Sequence, residues 1–387
     1  MADKSKTSGN TARKSQGGAQ PKYSTVYNAL LKAIRRGEYA PGSKLPTETK
    51  LVEQFKVSRI TIIRALRDLQ SAGVLRRRRG SGSYVQAVGN TPSSPAGAES
   101  VGAIFLPLET GSIFFDVHRV LVRAAESRGW RLIFHEMPLD STPPHAARLV
   151  EDVIASGTKG IFYLPVPLLN LGHEVNDAIA AQCLARKLPL VLLDRDIHLL
   201  HDRSMFDVVG SDNELGGFLV GKHLVGLGCR RIVFFSDGRP HPTTEAREEG
   251  LRNAVNLSAK VTCERCSGDG DDADLIERLI YEFKPDGIAC VNDMTAAKVM
   301  RTLLRAGVRV PQQIKLTGFD DTATAALLTV PLTTVRQSAE AMGVQAVSIM
   351  SQRIVSPHLP AVTVSIACSL VERESTLGRE YARAKHL

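Results

Sequence analysis

Residues 56–85, KVSRITIIRALRDLQSAGVLRRRRGSGSYV, constrain this chain more tightly than any other stretch. Ile62, Ala65, Leu66 and Leu69 fall at i, i+3, i+4 and i+7, an apolar stripe of helical period. Ser58 stands where an N-cap hydroxyl accepts from a free N–H of the first turn. Gly73 stands where a left-handed residue ends a helix. Ile60, Arg64 and Arg67 occupy the opposite face, with Arg59 at the N-terminal tip. Val74-Leu75 and Tyr84-Val85 then flank four arginines, Arg76 to Arg79, and Gly80-Ser81-Gly82-Ser83, which predicts a two-stranded wing with a glycine turn. Upstream, Leu51, Val52 and Phe55 predict a shorter helix opened by Pro46 and Thr47, and Val26, Ala29, Leu30, Ala33 and Ile34 a first helix ended by Gly37. Three helices and a basic wing are the parts of a winged helix-turn-helix, which lays one helix in a DNA major groove.

An arginine run is also what a solvated face looks like, so the charge distribution has to decide. Residues 1–90 hold 18 Lys or Arg against 5 Asp or Glu, net +13, while the remainder holds 31 against 35, net −4, giving the +9 of the whole chain. A basic module on a mildly acidic body is the footprint of a polyanion binder. Arg59 is the candidate for paired hydrogen bonds to guanine O6 and N7. Arg64, Arg67 and the wing arginines, Arg78 among them, suit phosphates, which position without specifying sequence. Residues 1–20, rich in Ser, Gly and Gln, read as a disordered basic tail.

Leu45-Pro46-Thr47-Glu48, Phe55-x-Val57-Ser58-Arg59, Ala65-Leu66-x-x-Leu69 and Gly80-Ser81-Gly82-Ser83-Tyr84-Val85 resemble the N-terminal module of GntR-type transcriptional regulators. The resemblance covers residues 23–85. It implies DNA contacts from Thr47, Ser58, Arg59 and Thr61 and from the wing glycines Gly80 and Gly82. One departure is Ile63, where the family commonly carries an arginine; here Arg64 follows it.

At 387 residues there is room for this module, residues 21–88, and a larger body. The 89–100 stretch, GNTPSSPAGAES, reads as a linker. No apolar run approaches the ~18 residues of a membrane span, and no apolar signal core opens the chain, so a cytoplasmic location is expected. Six scattered cysteines fit small buried hydrophobes. The lone Cys263-x-x-Cys266 and the Asp269, Asp271 and Asp272 group lack the companions of a metal site, so no metal or cofactor is expected.

Beyond the linker, apolar runs alternate with helical segments. Strands are predicted at 101–106, 131–135, 160–164 and 190–193, then at 231–235, 287–291 and 314–318. Helices are predicted at 115–128, 214–226, 244–255, 274–283 and 295–306. This alternation predicts α/β architecture with parallel sheets covered on both faces, and two series predict two lobes with a cleft at the strand C-termini. Motifs in order, Asp207-Val208-Val209-Gly210-Ser211-Asp212-Asn213, Val291-Asn292-Asp293, Gly318-Phe319-Asp320-Asp321 and Pro331-Leu332-Thr333-Thr334-Val335-Arg336-Gln337, resemble the effector domain of the lactose/galactose (LacI/GalR) repressors, itself similar to periplasmic sugar-binding proteins. A GntR-type head on such a body resembles the arabinose-repressor subgroup. The resemblance spans about 101–378, leaves 379–387 as a tail, and implies crossings between lobes near 211, 332 and 361. Lobe 1 is then 101–211 with 333–360, and lobe 2 is 212–332 with 361–378.

It also implies an effector site of Phe114, Phe115, Asp194, Arg195, Arg247, Asn292, Asp320 and Gln337. Carboxylate, guanidinium and amide groups pair with vicinal hydroxyls, and an aromatic face covers a sugar's C–H surface. Each has a plainer account: a structural ion pair for Asp194-Arg195, a helix cap for Asp320, a core position for Phe115, a surface pair for Arg247. A solute-binding receptor or a sugar-processing enzyme could use the same body, though no nucleophile elbow or phosphate-cradling loop stands out. The reading that unites both halves is a dimeric, effector-controlled transcriptional repressor without enzymatic activity, whose partners are double-stranded operator DNA and a small carbohydrate.

Overall fold

The computed structural model describes residues 26–378, apart from 28, 31–32, 35–37, 41, 72–74, 79–81, 86–98, 106–111, 139 and 199–201. The expected basic tail, most of the linker and the 379–387 tail lie outside the described residues. The chain divides into two compact units between residues 96 and 97.

In the first unit, α1 (Glu48–Phe55) and α2 (Arg59–Ser71) are followed by β1 (Leu75–Arg78) and β2 (Gly82–Val85). The α1 cap is the Thr47 hydroxyl, which accepts from the Lys50 N–H, and Lys56 ends it in a left-handed conformation (φ +50°). The predicted stripe of α2 is the core: Ile62, Ala65, Leu66 and Leu69 are buried with Leu30, Leu51, Leu75 and Val85. β1 and β2 pair antiparallel from Leu75↔Val85 to Arg78↔Gly82. A third segment joins them, since Leu45 N–H donates to the Ser83 carbonyl and Val85 N–H to that of Ser43. Gly82 needs its freedom here, with φ +113° and the Lys44 Cε 2.8 Å from where a Cβ would stand.

The second unit holds two parallel sheets. The first, ordered β13-β7-β6-β5-β3-β4, joins β3 (Ser100–Phe105), β4 (Arg131–Glu136), β5 (Thr158–Tyr163), β6 (Leu190–Leu193), β7 (Asp207–Ser211) and β13 (Thr363–Ile366). The second, ordered β11-β10-β8-β9, joins β8 (Arg231–Ser236), β9 (Thr262–Ser267), β10 (Gly287–Cys290) and β11 (Lys315–Thr317). Successive strand residues point to opposite faces, so each sheet needs cover on both sides. Val101, Phe162 and Val191 face α3 (Ile113–Glu126) and α11 (Ala339–Val355), while Ile104, Ile161 and Leu192 face α4 (Pro143–Ala155) and α5 (Gly172–Ala185). In the second lobe, Phe235 and Ile288 face α8 (Ala273–Phe283) and α9 (Asp293–Arg305). Phe234 and Ala289 face α6 (Asn213–Gly226) and α7 (Pro242–Asn256). A five-residue α10 (Ala323–Leu327) follows β11, and a short α12 (Glu374–Leu377) ends the described chain.

Two of the three expected crossings move. β12 (Thr334–Arg336) pairs antiparallel with β14 (Ser369–Val371), and Thr317↔Thr333 and Asp320↔Arg336 bridges fasten it to the second lobe. The chain therefore returns to the first lobe at 337–338, where Ser338 caps α11, rather than at 332. β13 pairs with β7 in the first sheet, so residues 363–366 belong to lobe 1 and the last crossing falls at 367–368, not 361. β3 also begins at Ser100, inside the stretch read as linker. The C-x-x-C lies on edge strand β9, whose period of two sends Cys263 and Cys266 into the cores on opposite faces of the sheet.

Candidate functional site

On the basic unit, the tips of α1 and α2 meet. The Ser58 Oγ accepts the Thr61 N–H at 3.3 Å and bonds the Thr61 hydroxyl at 2.8 Å, capping α2. Arg59 reaches back across the turn, donating Nε and Nη2 to one Glu48 oxygen at 3.1 Å each. Its side chain remains 73% exposed. Thr47 and Ser58 thus spend their hydroxyls as caps, while Arg59 is presented outward. Glu48 was absent from the sequence-derived site, although its place in Leu45-Pro46-Thr47-Glu48 could have flagged it. The Arg64, Arg67 and Arg78 side chains and Gly80 lie outside the described residues.

In the body, strand C-termini of both lobes supply the cleft. Asp194 follows β6 in a left-handed conformation (φ +69°). Its Oδ2 accepts Arg195 Nη1 at 2.9 Å, and Arg195 Nε donates to the Pro165 carbonyl at 3.1 Å. Phe114, at the start of α3, lies 5.8 Å from that guanidinium, within cation–π reach. Phe115 is tied only to the Ser112 cap through its N–H, and no described contact places its ring against the cleft.

From the second lobe, Arg247 on α7 is buried rather than paired on the surface. Its Nε donates to Asn213 Oδ1 at 2.8 Å, Nη1 donates to the Val291 carbonyl at 2.7 Å, and Phe319 lies 3.7 Å beneath the guanidinium carbon. Only Nη2 remains, 3.9 Å from Asp320 Oδ1. Asp320, at φ +116°, takes a bond from Gln337 Nε2 at 2.6 Å. The expected cap role goes elsewhere: Asp293 Oδ2, not Asp320, accepts the Thr322 N–H at 2.8 Å. Asn292 Oδ1 caps α9 through the Thr295 N–H. Left-handed backbone at non-glycine residues costs about 1–3 kcal/mol each and clusters at sites of function; here Asp194, Asp320 and the adjoining Asp321 bear it beyond strand ends.

Four buried polar atoms in this group have no partner: Asp194 Oδ1, Ser211 Oγ, Gln337 Oε1 and His241 Nδ1. His241 precedes α7 and was not anticipated from sequence. Burial, with the Arg195, Arg239 and Arg247 charges adding to it, pulls its pKa down to about 2, so the ring is neutral. Burial pushes Asp320 up to about 7, against the pull of Arg247 and with Asp293 and Asp194 adding to the rise. A cavity of about 380 Å³ beside the first crossing is lined by Asp194, Arg195, Ser211, Asn213 and Thr243. A larger groove of about 1250 Å³ runs along the outside of lobe 2 past Lys222 and Glu372, apart from these groups. We assign the chemistry to the cleft because the strained carboxylates and orphaned acceptors are there. Among the described residues no cluster of His, Cys, Asp or Glu could hold a metal, and no helix is long and apolar enough to cross a membrane.

Comparison with known proteins bears on both units. Residues 22–85 match the family of bacterial regulatory proteins, gntR family, and residues 222–376 match the periplasmic binding protein-like domain. The arabinose metabolism transcriptional repressor of Geobacillus stearothermophilus is 28% identical over 347 residues, covering 86% of this chain and 91% of that protein. The repressor of the same description from Halalkalibacterium halodurans is 25% identical, covering 86% and 88%. Among solved structures, a LacI family regulator of Enterococcus faecium with bound ribose superposes at TM-score 0.59 and 20% identity, covering 73% of this chain and all of that one. A CelR–cellobiose complex gives 0.60 and 20%, covering 82% and 91%. At such identity these structures speak to the fold.

Proposed function

We propose that this chain, which joins a GntR-type DNA-binding head to a periplasmic-binding-protein-like body, is a transcriptional repressor whose hold on operator DNA is set by a sugar bound between the two lobes. The observation that carries the ligand class is the set of orphaned atoms. A buried acceptor left unpaired costs about 1–3 kcal/mol. Asp194 Oδ1 and Gln337 Oε1 are both acceptors, so the missing partner must bring donors. A hydroxyl-rich, uncharged molecule does so; a phosphate or carboxylate would bring only acceptors. The basic groups are partly spent within the protein, since Arg195 and Arg247 each commit two N–H groups to protein oxygens. Phe114 supplies an apolar surface for C–H groups.

A pentose of the arabinose kind fits this donor demand, and the two full-length relatives carry that sugar in their names. On the head, Arg59 reads base edges while Ser58 and Thr47 hold the helix ends in place. Two copies of the chain would present two heads to a pseudo-palindromic operator in the cytoplasm. The cleft is read as a binding site and not a catalytic one, because Asp194, Asp320 and His241 are built to hold hydroxyls in place.

The test is calorimetric titration of the full chain with L-arabinose, D-ribose, cellobiose and arabinose 5-phosphate, followed by gel shift on the chain's own promoter region. A neutral pentose should bind, weaken the DNA complex and be recovered unchanged. Binding of none of the neutral sugars would sink the donor argument, and turnover of the sugar would convert the reading to an enzyme.

A further inference from the structure

Away from the three crossings, one backbone hydrogen bond joins the lobes among the described residues: the Leu168 N–H donates to the Pro240 carbonyl at 3.4 Å. Leu168 ends the 164–168 loop that follows β5. Pro240 adjoins His241, the residue at the N-terminus of α7, and α7 carries Arg247.

The loop is held by a closed set of buried groups. Tyr163 donates its hydroxyl to Asn176 Oδ1 at 2.6 Å. The Val166 N–H donates to the same oxygen at 3.1 Å, and Asn176 Nδ2 donates to the Val166 carbonyl at 3.2 Å. Asn176 therefore grips Val166 in both directions, as a paired strand would. Gly172 completes the seat, because the Pro167 carbonyl oxygen fills the space a Cβ would need. The same loop offers the Pro165 carbonyl to Arg195 Nε at 3.1 Å. One short segment thus fixes a cleft guanidinium and touches the opposite lobe.

Asn176 is fully buried on α5, between Val175 and the Ile179 turn of the same apolar face. Burying a carboxamide is costly unless its bonds are made, and an aliphatic side chain would pack α5 without that demand. What the carboxamide adds is a fixed Val166. We propose that the 164–168 loop is the latch that holds the cleft closed, and that Asn176, supported by Tyr163, is the positioning residue that sets it. The proposal rests on reading the cleft as a ligand site and adds to it a segment outside the residues assigned to that site.

Hydrogen exchange on the ligand-free full chain tests it directly. Tyr163→Phe, which removes one hydroxyl, should speed exchange about fivefold, the size expected for one neutral hydrogen bond. The effect should fall on residues 164–168 and, across the cleft, on residues 243–247, with β10 unchanged as the internal reference. Asn176→Ala should raise both by about tenfold or more. In stopped-flow measurements with L-arabinose, the dissociation rate should rise by a similar factor with association unaltered. Loosening confined to 164–168 would show a local structural role and overturn the latch, as would unchanged exchange on both sides. If the wild-type chain failed to bind L-arabinose, the sugar reading would fall while the ligand-free exchange pattern still decided the latch.

Discussion

Arg59 and Arg247 each face a carboxylate, and the shorter of the two pairs is the weaker. Arg59 meets Glu48 at 3.1 Å with its side chain 73% exposed, whereas Arg247 stands 3.9 Å from Asp320 with its side chain 9% exposed. In water two charges at such range gain about 1 kcal/mol, and screening and side-chain entropy take most of that back. Away from water the same charges interact several times more strongly, and neither can be left alone cheaply. Exposure therefore sorts these two arginines by task. The head presents a cation that can leave its partner for DNA at little cost; the body holds one that can only be satisfied in place.

The largest expected effect comes from breaking the buried member. Arg247→Ala leaves Asn213 Oδ1 and the Val291 carbonyl without their donor and removes the cation 3.9 Å from Asp320, and removal of one partner from a buried set costs about 3–5 kcal/mol. Thermal melting should show the body destabilised and titration should show sugar binding lost. Operator binding in gel shift should persist at a temperature where the body is still folded. Equal loss of DNA binding there would break the division of labour.

Next comes pH. The folded-state pKa of Asp320 is raised from its ordinary 3.8 to about 7, so the folded chain keeps a proton that the unfolded chain releases. That contribution is fully present below pH 4 and is lost as pH rises toward 7, at most about 4 kcal/mol by linkage. Asp293, raised to about 6 by burial, acts in the same direction. His241, lowered to about 2, acts oppositely, because the unfolded ring binds a proton below pH 6.5 that the folded ring refuses. The wild-type curve is thus a sum of opposing slopes. The informative quantity is the difference between Asp320→Asn and wild type in urea unfolding, which should favour the variant increasingly from pH 4 to 7 and stay level above. A flat difference would remove the buried carboxylate from the comparison.

Much of this was legible in the sequence, and the gaps have physical causes. The core stripe of α2 and the β5, β6, β8 and β10 runs could be read because both of their periods are carried by uninterrupted apolar residues. Asp194, Arg195, Asn292 and Asp320 came instead from the resemblance, and they stand just beyond β6, β10 and β11. β12 and β13 could not be read that way: one is three residues long, and the other, Thr-Val-Ser-Ile at an edge, alternates exposed and half-buried positions. Two crossings were misplaced as a result. His241 reads as a lone histidine before a proline, and its neutral state is set by burial, with the charge of Arg195 from the other lobe adding to it. Asn176 reads as a polar interruption of α5; only tertiary placement beside Tyr163 and Val166 makes it an anchor.

A smaller effect falls on the exposed member. Arg59→Ala should weaken operator binding by about 1–3 kcal/mol and relax base preference at one position. Sugar affinity should not change, which competition gel shifts and calorimetry on the same sample would check.

The smallest effect is the sharpest test of what exposure means. Glu48→Gln leaves a side chain of similar shape at the start of α1 but removes the negative charge facing Arg59. Because the Arg59 end of the pair lies in water, although the Glu48 side chain is only 21% exposed, folding stability should move by no more than about 1 kcal/mol. An acidic residue in a first turn also favours the helix dipole, by about 0.3–1 kcal/mol, so any loss should be of that order. DNA binding should respond differently. Free of its carboxylate, Arg59 no longer has to exchange one anion for another, so affinity for random duplex at low salt should rise more than affinity for the operator. Discrimination between the two would narrow, because Glu48 holds the guanidinium in one posture at the N-terminal tip of α2. If Glu48→Gln instead cost several kcal/mol of stability, the pair would be structural despite its exposure, and accessibility would not be what separates the reader from the sensor.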